Sequence, residues 1–391
     1  MMEFPMPRFR VTTAFLIASA ASTSFAPHLF AQDSASTKVA VQTPEALNAA
    51  IDQAANRGIE FLKNRGQGSD GAFSPETGVA VTGICVRAIL DHHPSDATQP
   101  AVKKAVDYII DRVQTDGGIY EKGSTHRNYE TSVAIGALVK ASDSDQFNSE
   151  LKRAEAFLKE IQWDESENID DSNPAYGGAG YGSHSRPDLS NTTFMLDALK
   201  DLGNDANDEA VQKALKFISR TQNLAGHGND TEHADKINDG GFYYTPAAGG
   251  QSKVEVPEGD DGGGLRSYGS MTYAGLKSMI FAGLTSEDPR VRAAMDFIQK
   301  NYSLSDNPGM GKQGLYYYYH TFAKALDAAG IQVLTDSEGV NHNWKRELTS
   351  TLLAAQQDDG SWVNSGSSRW MEGDRNLVTA YALLALKYCR E

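Results

Sequence analysis

The sequence predicts an all-helical protein, an (α/α)6 toroid in which six helical hairpins form an inner and an outer ring of helices. Three observations support this fold class. A threonine, followed six residues later by a small residue and then a large aliphatic one, recurs along the chain. An amphipathic stretch precedes each copy, and a glycine-rich turn joins the two. Self-similarity of this kind is typical of repeat architectures.

The threonine register defines the second helix of each hairpin. These helices are apolar nearly all round, as in LVTAYALLALKY. Both of their sides must therefore be covered, which predicts that they form the inner ring. We expect the small residues of the register to let neighbouring inner helices approach closely. The register positions are Thr82, Thr131, Thr192, Thr272, Tyr319 and Thr379.

The first helix of each hairpin has a clear polar face, as in AVKKAVDYIIDRV, which predicts the outer ring. A large residue near its end is followed by Gln, or once by Tyr, five or six residues on. The glycine-rich turns that follow, such as SDGAF and NDGGFYY, supply backbone conformations with positive φ. The pairs are Phe61 with Gln67, Tyr108 with Gln114, Phe157 with Gln162, Phe217 with Gln222, Phe297 with Tyr302 and Leu352 with Gln357.

We expect the hairpins to close into one domain at residues 45–391, after a flexible segment at 32–44. An open solenoid needs polar capping repeats, whereas the last helix, Asn376 to Tyr388, is as apolar as the others. In the threonine register, Cys85 and Cys389 differ in height by roughly 10 Å at 1.5 Å per residue. A disulfide needs Cα atoms within roughly 7 Å, so we predict two free, buried thiols.

The first 31 residues predict an export signal, removed after Ala31. Arg8 and Arg10 precede an apolar stretch at Val11–Ala21, which has the length of a signal-peptide h-region and is shorter than the roughly 20 residues of a membrane span. The mature protein is expected to be periplasmic or extracellular, without a membrane span. An ordinary disordered N-terminus is the alternative.

Composition restricts the partners and cofactors. The formal net charge of −15 argues against nucleic acid, because an acidic protein repels a phosphate backbone. We identify no cofactor, no nucleophile motif and no recognised zinc spacing. The segments HGNDTEHAD and DESENIDD could bind a metal or calcium, although a solvated loop is the default. The sequence does not indicate an oligomeric state.

The predicted site is the mouth of a central funnel, where the inner helices begin. Positions four and one residues before the threonine register share one helix face, and they are polar and varied where deeper positions are uniformly apolar. Converging helix N-termini favour an anionic ligand. Capping is the alternative, with Asp188 as an N-cap and Glu130 paired with Arg127. The candidates are Arg127, Glu130, Asp188, Asn191, Arg266, Tyr268, Tyr316, Tyr317, His320, Asp374 and Arg375.

Four consecutive tyrosines, Tyr316 to Tyr319, and His320 begin the fifth inner helix. They cannot all face one direction on a helix. We interpret part of this run as an aromatic wall for an apolar or sugar-like ligand, and the rest as filling between helices.

These patterns resemble the prenyltransferase and squalene-oxidase repeat of the terpenoid cyclase and protein prenyltransferase superfamily. The aromatic-x4-Gln helix ends, the DGGFY and DDGSW turns and the T-x5-A-L helices carry the resemblance over roughly residues 45–391. It implies the α/α-toroid fold. The catalytic strings differ. The nearest match to the cyclase D-x-D-D acid is Glu258-Gly259-Asp260-Asp261, and the prenyltransferase D-x-C zinc pattern has Gly83 or Lys387 in place of Asp.

Three functions are compatible with these observations, and the sequence leaves open whether the protein is an enzyme. The first is a toroid that binds or processes a small apolar, isoprenoid-like ligand, which we favour because of the aromatic wall. The second is a polysaccharide lyase or binder, with Arg127, Arg266 and Arg375 near the mouth and Tyr268 or His320 as the base. The third is a non-catalytic interaction scaffold.

Overall fold

The structure, a computed structural model, describes residues 43–142, 145–182, 186–255 and 263–391. These residues belong to one compact unit. The expected signal segment and the acidic string at 258–261 lie outside the described residues. Within the described ranges, no helix is long and apolar enough to cross a membrane.

The described chain alternates between outer and inner helices. Odd-numbered helices are outer and even-numbered helices are inner, and a short antiparallel hairpin of β1 (Leu334–Thr335) and β2 (Asn341–His342) precedes the last outer helix. The helices are α1 (Pro44–Phe61), α2 (Ala80–His92), α3 (Pro100–Ile110), α4 (Arg127–Ala141), α5 (Asn148–Glu160), α6 (Leu189–Asp201), α7 (Glu209–Arg220), α8 (Gly269–Phe281), α9 (Pro289–Lys300), α10 (Leu315–Ala328), α11 (Trp344–Ala355) and α12 (Arg375–Tyr388).

The inner helices form a closed ring. Each even-numbered helix packs against the next, and α12 packs against α2. An open superhelix would separate these two helices, so their contact confirms the predicted toroid. Both cysteines are free and buried, as the register predicts.

The threonines of the register do more than supply small side chains. Each of its threonines is fully buried, and each hydroxyl accepts a hydrogen bond from a backbone N–H of the preceding turn. In the fifth hairpin, the Tyr319 hydroxyl instead donates to the Leu304 carbonyl at 2.6 Å. The register therefore ties every inner helix to its own turn. The pairs are Phe73 N with Thr82 at 2.9 Å, Ile119 N with Thr131 at 3.0 Å, Ala179 N with Thr192 at 3.0 Å, Phe242 N with Thr272 at 3.1 Å and Trp362 N with Thr379 at 3.0 Å.

Most glutamines of the column join their hairpin to the next. The Gln222 side-chain amide donates to the carbonyls of Gly240 and Arg290, both at 2.9 Å, and so links its turn to the start of α9. Gln67 and Gln162 make equivalent bridges to α3 and α7.

In the last hairpin, the bridging residue is the one before the glutamine of the sequence pattern. Gln356, rather than Gln357, donates to Gly360 and to Ala54 of α1, both at 2.9 Å. The bridge therefore also joins the last hairpin to the first. In the second hairpin, Gln114 donates to carbonyls of its own turn instead. Spacing alone misses such shifts because helix ends vary locally, as in the π-helical turn Leu62–Gly66 that follows α1.

We expect Thr131→Val to lower the free energy of unfolding by about 1 to 3 kcal/mol, because the buried Ile119 N–H loses its acceptor. Thr131→Ser keeps the hydroxyl and is the matched control. Urea unfolding followed by circular dichroism measures both. Equal stability of the two variants would show that the hydroxyl contributes nothing.

Candidate functional site

An aromatic cluster fills part of the interior of the inner ring. Tyr129 of α4 packs edge-on against Phe194 of α6, with 4.7 Å between ring centroids. Phe194 stacks on Tyr317 of α10 at 6.1 Å, and Tyr317 and His320 each lie 5.9 Å from Tyr381 of α12. We call these five residues the aromatic layer.

The aromatic layer spans the ring rather than one helix pair. The hydroxyls of Tyr129 and Tyr381 lie 3.4 Å apart, although α2 separates their helices in the ring. Phe194 and Tyr317 likewise meet across α8. These side chains therefore face the centre of the ring. Tyr129, Phe194 and Tyr317 are also partly exposed.

A polar cluster lies where α6 begins. Asp188 is the N-cap of α6 and accepts hydrogen bonds from the backbone and side-chain nitrogens of Asn191, at 2.9 and 2.8 Å. The Tyr244 hydroxyl lies near this carboxylate. Burial raises the pKa of Asp188 to about 6, because the ionised form loses its hydration.

Two cations lie beside this acid. The Lys253 ammonium is 4.2 Å from the centroid of the Tyr244 ring, and the Arg186 guanidinium is 6.0 Å from it. Burial, with repulsion from Arg186, lowers the pKa of Lys253. We call Asp188, Asn191, Tyr244, Lys253 and Arg186 the mouth cluster.

A second polar cluster was missed by the sequence analysis. Five positions after the register, four inner helices carry charged side chains: Arg87, Asp197, Lys277 and Lys324. The Lys277 and Lys324 ammonium groups each lie 2.7 Å from Oδ2 of Asp197. Arg87 pairs with Asp201. Charged residues at one fixed register position in apolar helices were the signal that could have revealed this cluster, which we call the charged layer.

The charged layer lies toward the carboxyl ends of the inner helices. Asp91 of α2 forms ion pairs with Lys140 of α4 at 2.9 Å and with Lys387 of α12 at 3.0 Å. All three residues lie in the last turns of their helices. Cations are favoured at helix carboxyl ends, where the helix macrodipole is negative. Part of this cluster therefore stabilises the ring itself.

Several predicted site residues make contacts that hold neighbouring hairpins together. Glu130 accepts hydrogen bonds from Val79 N at 3.1 Å, Glu121 N at 2.9 Å and the Ser124 hydroxyl, and so joins α4 to the start of α2. Asp374 caps α12 through Leu377 N at 2.8 Å and binds the Ser74 hydroxyl at 2.7 Å.

The remaining candidates divide between the two clusters and the periphery. Arg127 lies 5.5 Å from the Tyr120 ring and lines a separate cleft of about 370 Å³. Arg375 pairs with Asp359 at 2.6 Å. The Tyr316 ring packs against Tyr319, and the Arg266 carbonyl accepts from the Ser252 hydroxyl. Tyr317 and His320 belong to the aromatic layer, and Asp188 and Asn191 to the mouth cluster.

Tyr268 is the N-terminal flanking residue of α8 and is buried. Burial and the neighbouring Tyr317 and Asp188 raise its pKa well above the ordinary value, so it is a poor base at neutral pH. Burial lowers the pKa of His320, which keeps it neutral. His320 is therefore the better proton acceptor of the two residues suggested for lyase chemistry.

The two acidic segments considered for metal binding have protein partners. Asp230 binds Arg220 through two hydrogen bonds of 2.6 and 2.7 Å, and Asp164 pairs with Lys213 at 2.9 Å. Across the described ranges, no group of three or more His, Cys, Asp and Glu side chains could hold a metal ion.

Comparison with known proteins agrees with this architecture. Residues 73–246 match the family model of the squalene-hopene cyclase C-terminal domain. The chain has the α/α-toroid fold of the terpenoid cyclase and protein prenyltransferase superfamily. A squalene–hopene cyclase of Zymomonas mobilis subsp. mobilis is 29% identical to this chain over 192 residues, which are 48% of this chain and 28% of the relative. The match therefore spans less than a third of that cyclase.

Solved structures share the toroid at low sequence identity. A protein geranylgeranyltransferase-I of Candida albicans, complexed with GGPP, has a TM-score of 0.52 at 13% identity, covering 85% of this chain and 90% of that chain. A variant of the type II terpene cyclase MstE from Scytonema gives 0.51 at 13% identity, with 88% and 97% covered. A family 76 glycoside hydrolase from a bovine Bacteroides thetaiotaomicron strain gives 0.53 at 10% identity, with 86% and 78% covered. These likenesses show the fold alone.

The mouth cluster includes a second string to compare with D-x-D-D. Asp188-Leu189-Ser190-Asn191, inside the matched region, has an acid at the first position, with Ser190 and Asn191 at the third and fourth. This string lacks the paired acids of the pattern, and so the sequence alone did not single it out. Only one carboxylate of the pattern is present at this helix start.

Proposed function

We propose that this toroid is exported and binds an apolar, isoprenoid-like ligand inside its inner ring. The carrying observation is the aromatic layer, in which rings from helices that are not neighbours meet at the centre and remain partly exposed. Aromatic faces bind apolar and unsaturated chains through their area and their quadrupole. The predicted signal segment at residues 1–31 supports export.

The polar groups on either side of the aromatic layer further restrict the chemistry of the ligand. The mouth cluster lies where α6 begins, and the charged layer lies in the second half of the inner helices. A ligand in this interior would be apolar along its length and polar at one end. The geranylgeranyltransferase-I structure that shares the fold is complexed with GGPP, which is consistent with a toroid accommodating such a chain.

A polysaccharide-binding role is the second candidate, and the mouth cluster favours it. Tyr181 is 38% exposed and its hydroxyl lies near Asp188 and Asn191, with Lys253 and Arg186 close by. Aromatic, acidic and cationic groups together suit an acidic sugar. Hydrolysis of a glycosidic bond ordinarily uses a pair of carboxylates, and this cluster contributes Asp188 alone. The cluster therefore supports polysaccharide binding better than polysaccharide hydrolysis.

We expect farnesol to bind the purified toroid, and Phe194→Leu to weaken that binding by about three- to tenfold, since an aromatic contact is worth about 0.5 to 1.5 kcal/mol beyond its area. Phe281→Leu is the matched control, because Phe281 ends α8 near Lys200, outside the aromatic layer. Isothermal titration calorimetry measures all three proteins.

Absence of farnesol binding to the wild-type protein would contradict the proposal, as would equal weakening by the two substitutions. A parallel titration with a hexauronate oligosaccharide separates the second candidate. Binding of the sugar without binding of farnesol would assign the mouth cluster to carbohydrate.

A further inference from the structure

Two lysines share one carboxylate oxygen inside the ring. Lys277 of α8 and Lys324 of α10 each lie 2.7 Å from the same atom, Oδ2 of Asp197. Their ammonium groups are therefore close neighbours, and one negative charge cannot balance both. The next cation, Arg87, is already paired with Asp201. The arrangement favours loss of a proton from one of the two lysines.

Of the two lysines, Lys277 is the one whose charged form is disfavoured. Its side chain is only 8% exposed. Burial and the repulsion of Lys324 outweigh the attraction of Asp197 and lower the pKa of Lys277 to about 8. Although burial opposes it, Asp197 raises the pKa of Lys324. Lys277 therefore carries a larger fraction of neutral amine near neutral pH than an ordinary lysine does, and a neutral lysine amine is a nucleophile toward carbonyl carbon.

The aromatic layer adjoins this amine. Asp197 acts electrostatically on both Tyr317 and His320, and Lys277 also acts on His320. Solvent reaches the Asp197 and Lys324 side chains, which are 18% and 15% exposed. A chain held against Tyr317 and Phe194 would therefore have its polar end within the charged layer.

We propose that Lys277 binds an isoprenoid-like aldehyde as an imine, with Asp197 as the counter-anion. This inference rests on the proposed function and names the polar group of its ligand. The Nζ lone pair attacks the carbonyl carbon. The carbonyl oxygen leaves as water, taking both amine hydrogens, and a C=N bond replaces the C=O bond. A proton taken up by the imine nitrogen gives an iminium ion that pairs with Asp197.

The test uses all-trans-farnesal with sodium cyanoborohydride, which reduces the iminium to a stable secondary amine. At pH 7.5, intact mass spectrometry and peptide mapping of the wild-type protein are expected to show one farnesyl adduct on Lys277. It should form about tenfold faster than adducts on exposed lysines, given that neutral lysines are the reactive species. Lys277→Met should abolish this adduct.

The Lys324→Met variant tests whether Lys277 is reactive because it shares Asp197 with Lys324, or only because it lies near the ligand. Without its competitor, Lys277 would pair with Asp197 one to one, and its pKa would rise. We expect the adduct on Lys277 to form more slowly at pH 7.5, and the pH profile of its formation to move upward. Unchanged rate and profile in this variant would overturn the proposed role of Lys324.

Uniform labelling of exposed lysines, with Lys277 unmodified, would overturn the inference. Farnesol cannot form an imine, so its titration keeps the two proposals distinct. Farnesol binding without the Lys277 adduct would reject the aldehyde and leave the proposed function standing. Absence of both would reject the two together.

Discussion

Gly360→Ala is expected to lower the free energy of unfolding by about 3 kcal/mol or more, combining backbone strain with overpacking. Gly360 has φ of +89°, and a Cβ at this position would overlap the Arg57 carbonyl of α1. This glycine lies where the last turn packs on the first outer helix. The substitution therefore tests closure of the ring.

Gly203→Ala is the matched control for this prediction. Gly203 has nearly the same φ, +92°, but nothing lies within 4 Å of its Cβ position. It should cost about 1 kcal/mol from backbone strain alone. Urea unfolding followed by circular dichroism gives both values. Equal costs would mean that the last turn and α1 are not packed as described.

Asp197→Asn is expected to destabilise the protein by about 3 to 5 kcal/mol at pH 7, since removing one partner leaves buried charges uncompensated. Lys277 and Lys324 would both lose their common acceptor. Replacing all three residues, with Asp197→Leu, Lys277→Met and Lys324→Met, removes the charges together and should cost far less. A similar loss in both proteins would indicate that packing, and not charge, explains the effect.

The Asp197→Asn deficit should shrink at high pH. Burial already lowers the pKa of Lys277 to about 8, and loss of Asp197 lowers it further. At pH values between the lowered pKa of Lys277 in the folded variant and the ordinary lysine pKa of about 10.4, the unfolded chain binds more protons than the folded one. The stability of the variant therefore rises with pH in this range. Urea unfolding at pH 7 and pH 10 measures the change. A deficit that is constant with pH would exclude lysine protonation as its cause.

The ring was predictable because its determinants repeat at a fixed spacing. The threonine register located all the inner helices, and the apolar last helix indicated closure. The hydroxyl contacts of Thr82 and its equivalents were not predicted, because a sequence pattern does not distinguish small size from hydrogen bonding. The Gln356 bridge was displaced by one residue because the ends of outer helices differ in length.

The contacts of the candidate site residues were less predictable than the ring. Positions before the register were chosen for their variety, yet Glu130 and Asp374 serve as caps and bridges there. Of the predicted residues, Tyr317 lies in the aromatic layer and Asp188 in the mouth cluster. Tyr244 and Lys253 come from the long segment between α7 and α8, whose path no periodicity describes. The charged layer was not predicted, because its residues lie in the second half of the inner helices, away from the helix starts where the site was expected.

The contact of α12 with α2 leaves the ring without a terminal repeat. In a linear array, the outermost unit has one neighbour and frays first, and each unit contributes its own stability plus one interface. Here every hairpin has two neighbours, and Arg390 at the end of the described chain pairs with Asp52 of α1 at 2.5 Å. Opening any single hairpin breaks two interfaces at once, so we expect the molecule to melt in one cooperative transition rather than from either end.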